Sequence, residues 1–293
     1  MSNGPDLSAY IEEKYPKRKL KNRIMCCFLG LAALTALAPL LSIFALILKE
    51  GLPALSLDFF TKLPQPVGEL GGGMANAILG TATLILLASL IGVPWGILTG
   101  LYLSEYRHQK RWIPFVRFCA DMLSSIPSII IGLFVYAVVV IPMKRFSAIA
   151  GGIALGLLMI PIIARSVEEL LKLVPHHIRE AGLALGLPRW KVILHIVLTG
   201  SSKAITTGIM LSVARVAGET APLLFTAFGN RYWQSSLDQP ISSLPVQIYN
   251  YAISPYDDWH HQAWAEALIL VFFVFTLNLA TRYRLSPNRR ESP

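Results

Sequence analysis

Two residues in this chain carry charge where charge is costly. The run Thr206–Ala227, T-T-G-I-M-L-S-V-A-R-V-A-G-E-T-A-P-L-L-F-T-A, reads as one membrane-spanning helix, yet it holds Arg215 and Glu219. Four residues apart, they share one face of a helix. Counted from Lys203, Arg215 lies twelve residues in, about 18 Å at helical rise. That depth is near the middle of a roughly 30 Å hydrocarbon core, where a charged side chain faces a bundle interior or a watery path. Pro222 opposes the carbonyl of Gly218 and removes a helical hydrogen bond, so the helix bends or opens there. Arginine suits an oxyanion because its planar fork donates paired hydrogen bonds. A carboxylate beside it would keep the anion from being held too tightly for release. The pair reads either as part of a transport path or as a structural ion pair locking two helices, and the two readings are compatible.

The elements that must position this pair are apolar. The chain has 293 residues, 54% hydrophobic and 15% charged, and its long apolar runs predict an all-α, polytopic membrane protein. Six spans are expected: 24–48, 75–103, 119–141, 148–164, the run around Arg215, and 263–280. The domain division is a tail over 1–23, a transmembrane domain over 24–281 that includes a charged cytoplasmic segment at 165–202, and a tail over 282–293. The first span resembles a signal peptide at Ala36-Leu37-Ala38 but is too long, and Pro39 follows the supposed cleavage site. Gly92, Gly96 and Gly100 line one face of span two and favour close helix packing. Span three opens with Asp121, Ser124, Ser125 and Ser128 around Pro127, whose hydroxyls either re-satisfy freed carbonyls or line an anion path. Span four is expected to close at Pro161.

Lys and Arg set the orientation. Six precede span one, four follow span two, six follow span four counting Lys203, and four follow span six. The other side holds five: Lys49, Lys62, Lys144, Arg145 and Arg231. Twenty against five puts both termini in the cytoplasm. Because the basic residues cluster at alternate span ends, the net charge of +9 argues for lipid contact and against nucleic acid.

Little enzyme chemistry is present. The dipeptide Gly-Lys never occurs, which excludes a Walker phosphate loop. H-E-x-x-H and G-x-S-x-G are also missing. The pairs His176-His177 and His260-His261 point apart on a helix and read as solvated loop residues, as do Glu168 and Glu169 as a solvated face. No cofactor or metal is expected, and Cys26, Cys27 and Cys119 read as small apolar residues. Within 165–202, V-P-H-H-I-R-E-A-G-L-A-L-G-L-P-R-W-K-V-I reads as helix, turn, helix. Gly186 ends the first helix and Pro188 starts the second. Leu183, Leu185, Leu187, Trp190 and Ile193 give it apolar surface for a protein partner.

This segment carries a resemblance. Glu180-Ala181-Gly182, then Gly186, then Ile196 is similar to the cytoplasmic signature of ABC-importer permeases: Glu-Ala-Ala, three residues, Gly, nine residues, Ile-x-Leu-Pro. Gly182 stands for the second Ala, and Thr199 for the Pro. Ala214–Ala227 and Leu123–Tyr136 resemble the permease subunits of phosphate-specific ABC uptake systems, the A-type subunit above all. The resemblance implies a type I importer permease fold in a bacterial cytoplasmic membrane. It also implies a second homologous permease, two ATP-binding subunits that hydrolyse the ATP, and an extracytoplasmic phosphate-binding protein as partners. On the same ground Arg165, Arg215 and Glu219 lie near a translocation path, and Glu180, Ala181 and Gly186 belong to the coupling helix that fits the ATPase. Competing readings are a permease for sulfate or molybdate, a secondary transporter driven by an ion gradient, and a membrane receptor without transport.

Overall fold

A computed structural model describes residues 7–66, 69, 71–106 and 112–285. The loop cations Arg107, Lys110 and Arg111 and the extreme ends of both tails lie outside the described residues. The chain divides into two units, Met1–Glu50 and Gly51–Pro293. The first unit is helix α1 (Leu7–Gly51) up to Glu50. Helix begins at Leu7, so the basic run before Ile24 is helical. Phe28, Leu29, Leu34 and Leu41 are exposed along it, the pattern of a helix solvated by lipid.

In the second unit, α2 (Leu57–Thr61) starts at Ser56, whose hydroxyl accepts the Phe59 N–H at 3.2 Å. The long helix α3 (Ala75–Glu105) follows. Next come α4 (Ile113–Ser125), α5 (Ser128–Val135), a π-helical turn at Tyr136–Val140 and the short α6 (Ile141–Met143). Helix α7 (Ala148–Lys172) is capped by Ser147, which accepts the Ala150 N–H at 3.1 Å. Then come α8 (His176–Ala184), α9 (Arg189–Lys191), a π-helical turn at Val192–Leu198 and α10 (Ser202–Val216). The chain ends with α11 (Ala221–Thr226), α12 (Leu244–Ala252) and α13 (Asp257–Leu285).

Among the described residues, four helices are long and apolar enough to cross a membrane, and two bent pairs make six if each is one span. One pair, Ile113–Ser125 with Ser128–Met143, bends by 102°; the other, Arg189–Leu198 with Ser202–Val216, bends by 72°. The expected span 119–141 is therefore broken rather than continuous, and the second bend, between Leu198 and Ser202, precedes the expected span around Arg215.

The centre of the unit is the packing of α3 on α7. A Cβ placed on Gly92, Gly96 or Gly100 would lie 2.6, 2.7 and 2.6 Å from the Cβ atoms of Met159, Ile163 and Val167. The three glycines thus let two backbones meet where side chains would hold them apart. Gly152 does the same from α7, with Leu87 at 2.6 Å. This long contact also explains a departure from expectation. Span four does not close at Pro161: α7 runs through the buried proline to Lys172, because its packing along α3 outweighs the one hydrogen bond proline removes. Arg165, Glu168, Glu169 and Lys172 consequently belong to the last turns of α7, and the separate charged segment is shorter than expected.

Glu168 is no solvated residue. Its side chain is buried and takes Arg117 from α4 and Lys172, one turn on, at 2.8 Å. A second buried pair ties α8 to the end of α3. Arg179 donates to Glu105 with Nε at 3.1 Å and Nη2 at 2.7 Å, and its remaining N–H groups cap the Val174 and Leu171 carbonyls at 2.7 and 3.0 Å. The planar fork makes four bonds at once, two to the carboxylate and one to each helix-end carbonyl, and an ammonium has only three donors.

Two tests follow from this packing. Gly96→Leu should cost about 2 kcal/mol or more by overpacking, read as a lower melting temperature of the purified protein, whereas Gly30→Leu, with nothing within 4 Å of its Cβ, should change little. Arg179→Leu strands the buried Glu105 carboxylate and should cost about 3–5 kcal/mol. Combining it with Glu105→Leu should recover most of the loss in the same melt, and a double variant no more stable than the single would refute the pairing.

Candidate translocation site and coupling helix

The break between α4 and α5 and the turn between α10 and α11 meet the middle of α7 around one cavity of about 200 Å³. Ser124, Pro127 and Ser128 line it from the α4–α5 break, Pro161 and Ile162 from α7, and Arg215, Val216 and Glu219 from the end of α10. The expected continuous helix across Arg215 and Glu219 is corrected here. Helix α10 stops at Val216, and the chain turns through Gly218 N–H to Arg215 carbonyl at 3.3 Å and Glu219 N–H to Val216 carbonyl at 3.1 Å before α11 begins. The physical reason is Pro222. It cannot donate inside a helix, so it sits in the first turn of a new one, where its missing N–H is harmless. Gly132 of α5 lets it do so, since a Cβ there would lie 2.6 Å from the Pro222 Cα.

Arg215 is accordingly in the last turn of α10, not at mid-helix. The unpaired carbonyls of a helix C-terminus favour a cation there, which lowers the cost of holding this one at depth. Arg215 and Glu219 no longer share a helix face, but both line the cavity. No ion pair joins them among the described residues. Arg215 therefore keeps its donors for other partners.

Arg165 lies outside this lining. It pairs with Asp121 across the α7–α4 contact, both half-exposed. Sequence reading placed Asp121 among the polar residues of span three without seeing its partner, 44 residues away. Ser124 and Ser128 line the cavity. Ser124 and Ser125 donate to the carbonyls of Ala120 and Asp121 at 2.9 and 2.8 Å, rather than to that of Leu123 opposite Pro127. Ser128 contributes a hydroxyl directly to the cavity.

At the other functional segment, α8 ends as expected in a glycine-capped turn. Gly186 has φ +79°, its N–H reaches the Leu183 carbonyl at 2.9 Å, and Leu187 N–H reaches Gly182 at 3.4 Å. Nothing lies within 4 Å of a Gly186 Cβ, so backbone conformation alone demands glycine there. Gly182 has a different reason: a Cβ would meet Ile196 at 2.9 Å and Val192 at 3.0 Å, where α8 packs on the π-helical turn. Glu180 and Ala181 are exposed on α8, and Leu183, Leu185 and Trp190 present unburied apolar surface beside them.

No group of metal-binding side chains occurs among the described residues. His176 and His177 lie in the first turn of α8, and His260 and His261 on α13, so both pairs are helical rather than in loops. His260 Nε2 is 2.7 Å from the Ser254 carbonyl.

Comparison with known proteins identifies this architecture. The family described as binding-protein-dependent transport system inner membrane component matches residues 92–285. The phosphate transport system permease protein PstA of Yersinia pestis is 45% identical over 283 residues, covering 96% of each chain. The corresponding protein of Xylella fastidiosa is 44% identical over 284 residues, 97% of this chain and 99% of that one. Among solved structures, an inward-facing form of the MetNI methionine ABC transporter superposes with a TM-score of 0.59 at 18% identity, covering 72% of this chain and 95% of that one; it speaks for the fold alone. This chain therefore belongs to the binding-protein-dependent inner-membrane permeases of ABC importers, and within them to the phosphate transport system permeases.

Proposed function

We propose that the chain is the membrane-spanning subunit of an ATP-driven importer and passes inorganic phosphate across the bacterial cytoplasmic membrane, both termini facing the cytoplasm. The observation that carries this reading is Arg215: a cation free of ion pairs among the described residues, in a cavity where the α4–α5 break meets the α10–α11 turn. Its fork offers paired donors to a tetrahedral oxyanion. Glu219 across the same cavity limits how tightly the anion is held, as release requires. Arg165, paired with Asp121, contributes a positive but tempered potential on the neighbouring helices. Glu180, Ala181 and Gly186, with the exposed apolar residues beside them, form the surface that docks into one of two ATP-binding subunits, which supply the hydrolysis. A second homologous permease completes the open side of the cavity, and an extracytoplasmic binding protein delivers phosphate.

One observation favours a different reading. Interrupted helices meeting at one cavity are also the architecture of gradient-driven secondary transporters. Reconstitution separates the two. We expect phosphate accumulation in proteoliposomes only when ATP, the ATPase, the second permease and loaded binding protein are all present. Gradient-driven accumulation by this chain alone would overturn the importer reading. Sulfate or molybdate transport in place of phosphate would overturn the substrate.

Within the assembled importer, Arg215→Gln removes charge-assisted hydrogen bonds worth about 1.5–3 kcal/mol, which corresponds to roughly 10- to 100-fold in uptake. Arg215→Lys should also be impaired, because it keeps the charge and loses the fork. Glu219→Gln with Arg215→Gln should assemble yet remain inactive. Full uptake by that double variant would remove both residues from the pathway.

A further inference from the structure

A second cavity, about 290 Å³, is lined by Leu224 of α11 and by the chain that follows that helix, and shares no lining residue with the cavity of Arg215. Arg231 is the one Lys or Arg between Arg215 and Arg282, and it lines this outer cavity with Asn230, Gln247, Asn250, Tyr251 and Trp259. No carboxylate lines it. Arg231 joins no ion pair among the described residues.

The guanidinium is held in place by other means. It lies over the Trp259 ring, 5.4 Å from the centroid, and Trp259 stacks on Tyr251 at 4.5 Å and 11°. A cation–π contact fixes the plane of an arginine while leaving its N–H edge free. The loop that carries it is also fixed. Phe228 and Gly229 have φ +62° and +119°, and the Asn230 carbonyl accepts from Asn76 on α3 at 2.6 Å. A left-handed non-glycine residue is strained and persists only where its surroundings hold it, a feature that concentrates at ligand clamps. Phe228 is held by stacking on Phe146, 4.8 Å between centroids.

The other lining groups are neutral. The buried Gln247 accepts from Ser242 at 2.8 Å through Oε1, and its side chain also hydrogen-bonds the Tyr251 phenol. Burial raises the Tyr251 phenol above its ordinary value, so it stays a hydroxyl. Asp258 and Glu266 act on Tyr251 from α13, and Gln262 donates to Asp258 at 3.0 Å. A lone cation with amide and hydroxyl donors is chemistry for an oxyanion.

We infer that this cavity is an outer phosphate site, where Arg231 and the amide of Asn250 hold inorganic phosphate before it reaches Arg215. It rests on the importer reading given above and adds a second station on that path.

The test uses the assembled transporter in nanodiscs and an arginine-selective reagent, phenylglyoxal, with modification of Arg231 quantified by mass spectrometry. Inorganic phosphate should slow modification of Arg231 several-fold relative to chloride at equal ionic strength. In parallel, Arg231→Gln should reduce phosphate uptake about tenfold, the loss of one charge-assisted contact, while loaded binding protein binds with unchanged affinity. Arg231→Lys should restore part of the uptake. Unaltered modification of Arg231 in phosphate would overturn the inference. So would a fall in binding-protein affinity that matches the loss of uptake, since Arg231 would then meet a carboxylate of that protein. The wild-type modification arm stands even if Arg231→Gln fails to fold. Absence of ATP-dependent phosphate uptake by the wild-type complex would instead sink the importer reading itself.

Discussion

Everything in the second unit depends on how closely α3 and α7 approach. Three glycines on α3 bring its backbone against Met159, Ile163 and Val167, and this contact carries α7 past Pro161 to its full length. Arg165, Pro161 and Ile162 take their positions from it, and so do the carboxylates of Glu105 and Glu168. The Glu105–Arg179 bonds then fasten α8 to the same pair of helices. A displacement at α8 would accordingly be passed to rigid helices through fixed hydrogen bonds rather than through a loose linker.

The second constraint is the cost of bare backbone in lipid. Irregular backbone at membrane depth persists only where protein or water covers it. Two interruptions, at Ile126–Pro127 and Ala217–Thr220, meet at the cavity that contains Arg215. The breaks and the charge therefore support each other. Ending α10 frees carbonyls that favour the guanidinium, and the cavity that shelters the breaks also gives the guanidinium room. Arg117, Arg165 and Arg179 are held in buried or half-buried ion pairs, which leaves Arg215 distinct from them.

Local signals in the sequence were faithful and distant ones were silent. The Gly92-Gly96-Gly100 stripe announced close packing, and Gly186 followed by Pro188 announced a capped turn, because both depend on residues a few positions apart. Arg215, Glu219 and Pro222 announced a charged break, yet the break fell at Gly218, before the proline, and the shared helix face did not survive. Proline opposes the carbonyl four residues back, so the site of the disruption precedes the residue that causes it. Lys172 lies one turn from Glu168 and could have flagged its burial. Arg117 is 51 residues away and could not, nor could Asp121 for Arg165. Helix α12 was hidden inside a long outer loop, although Pro245 in its first turn is a fair start signal.

The central claim is that the cavity at the two breaks is the aqueous path. Cysteine accessibility tests it most directly. With Cys26, Cys27 and Cys119 replaced, single cysteines go at Ser124, Ser128 and Ile162, which line the cavity, and at Leu90, exposed on the outside of α3. A membrane-impermeant thiol reagent is then applied to the assembled transporter with and without ATP and loaded binding protein. We expect the three cavity positions to react, at rates that change with the transport cycle, and Leu90 to stay unreactive. Cavity positions as inert as Leu90 in every state would contradict the account.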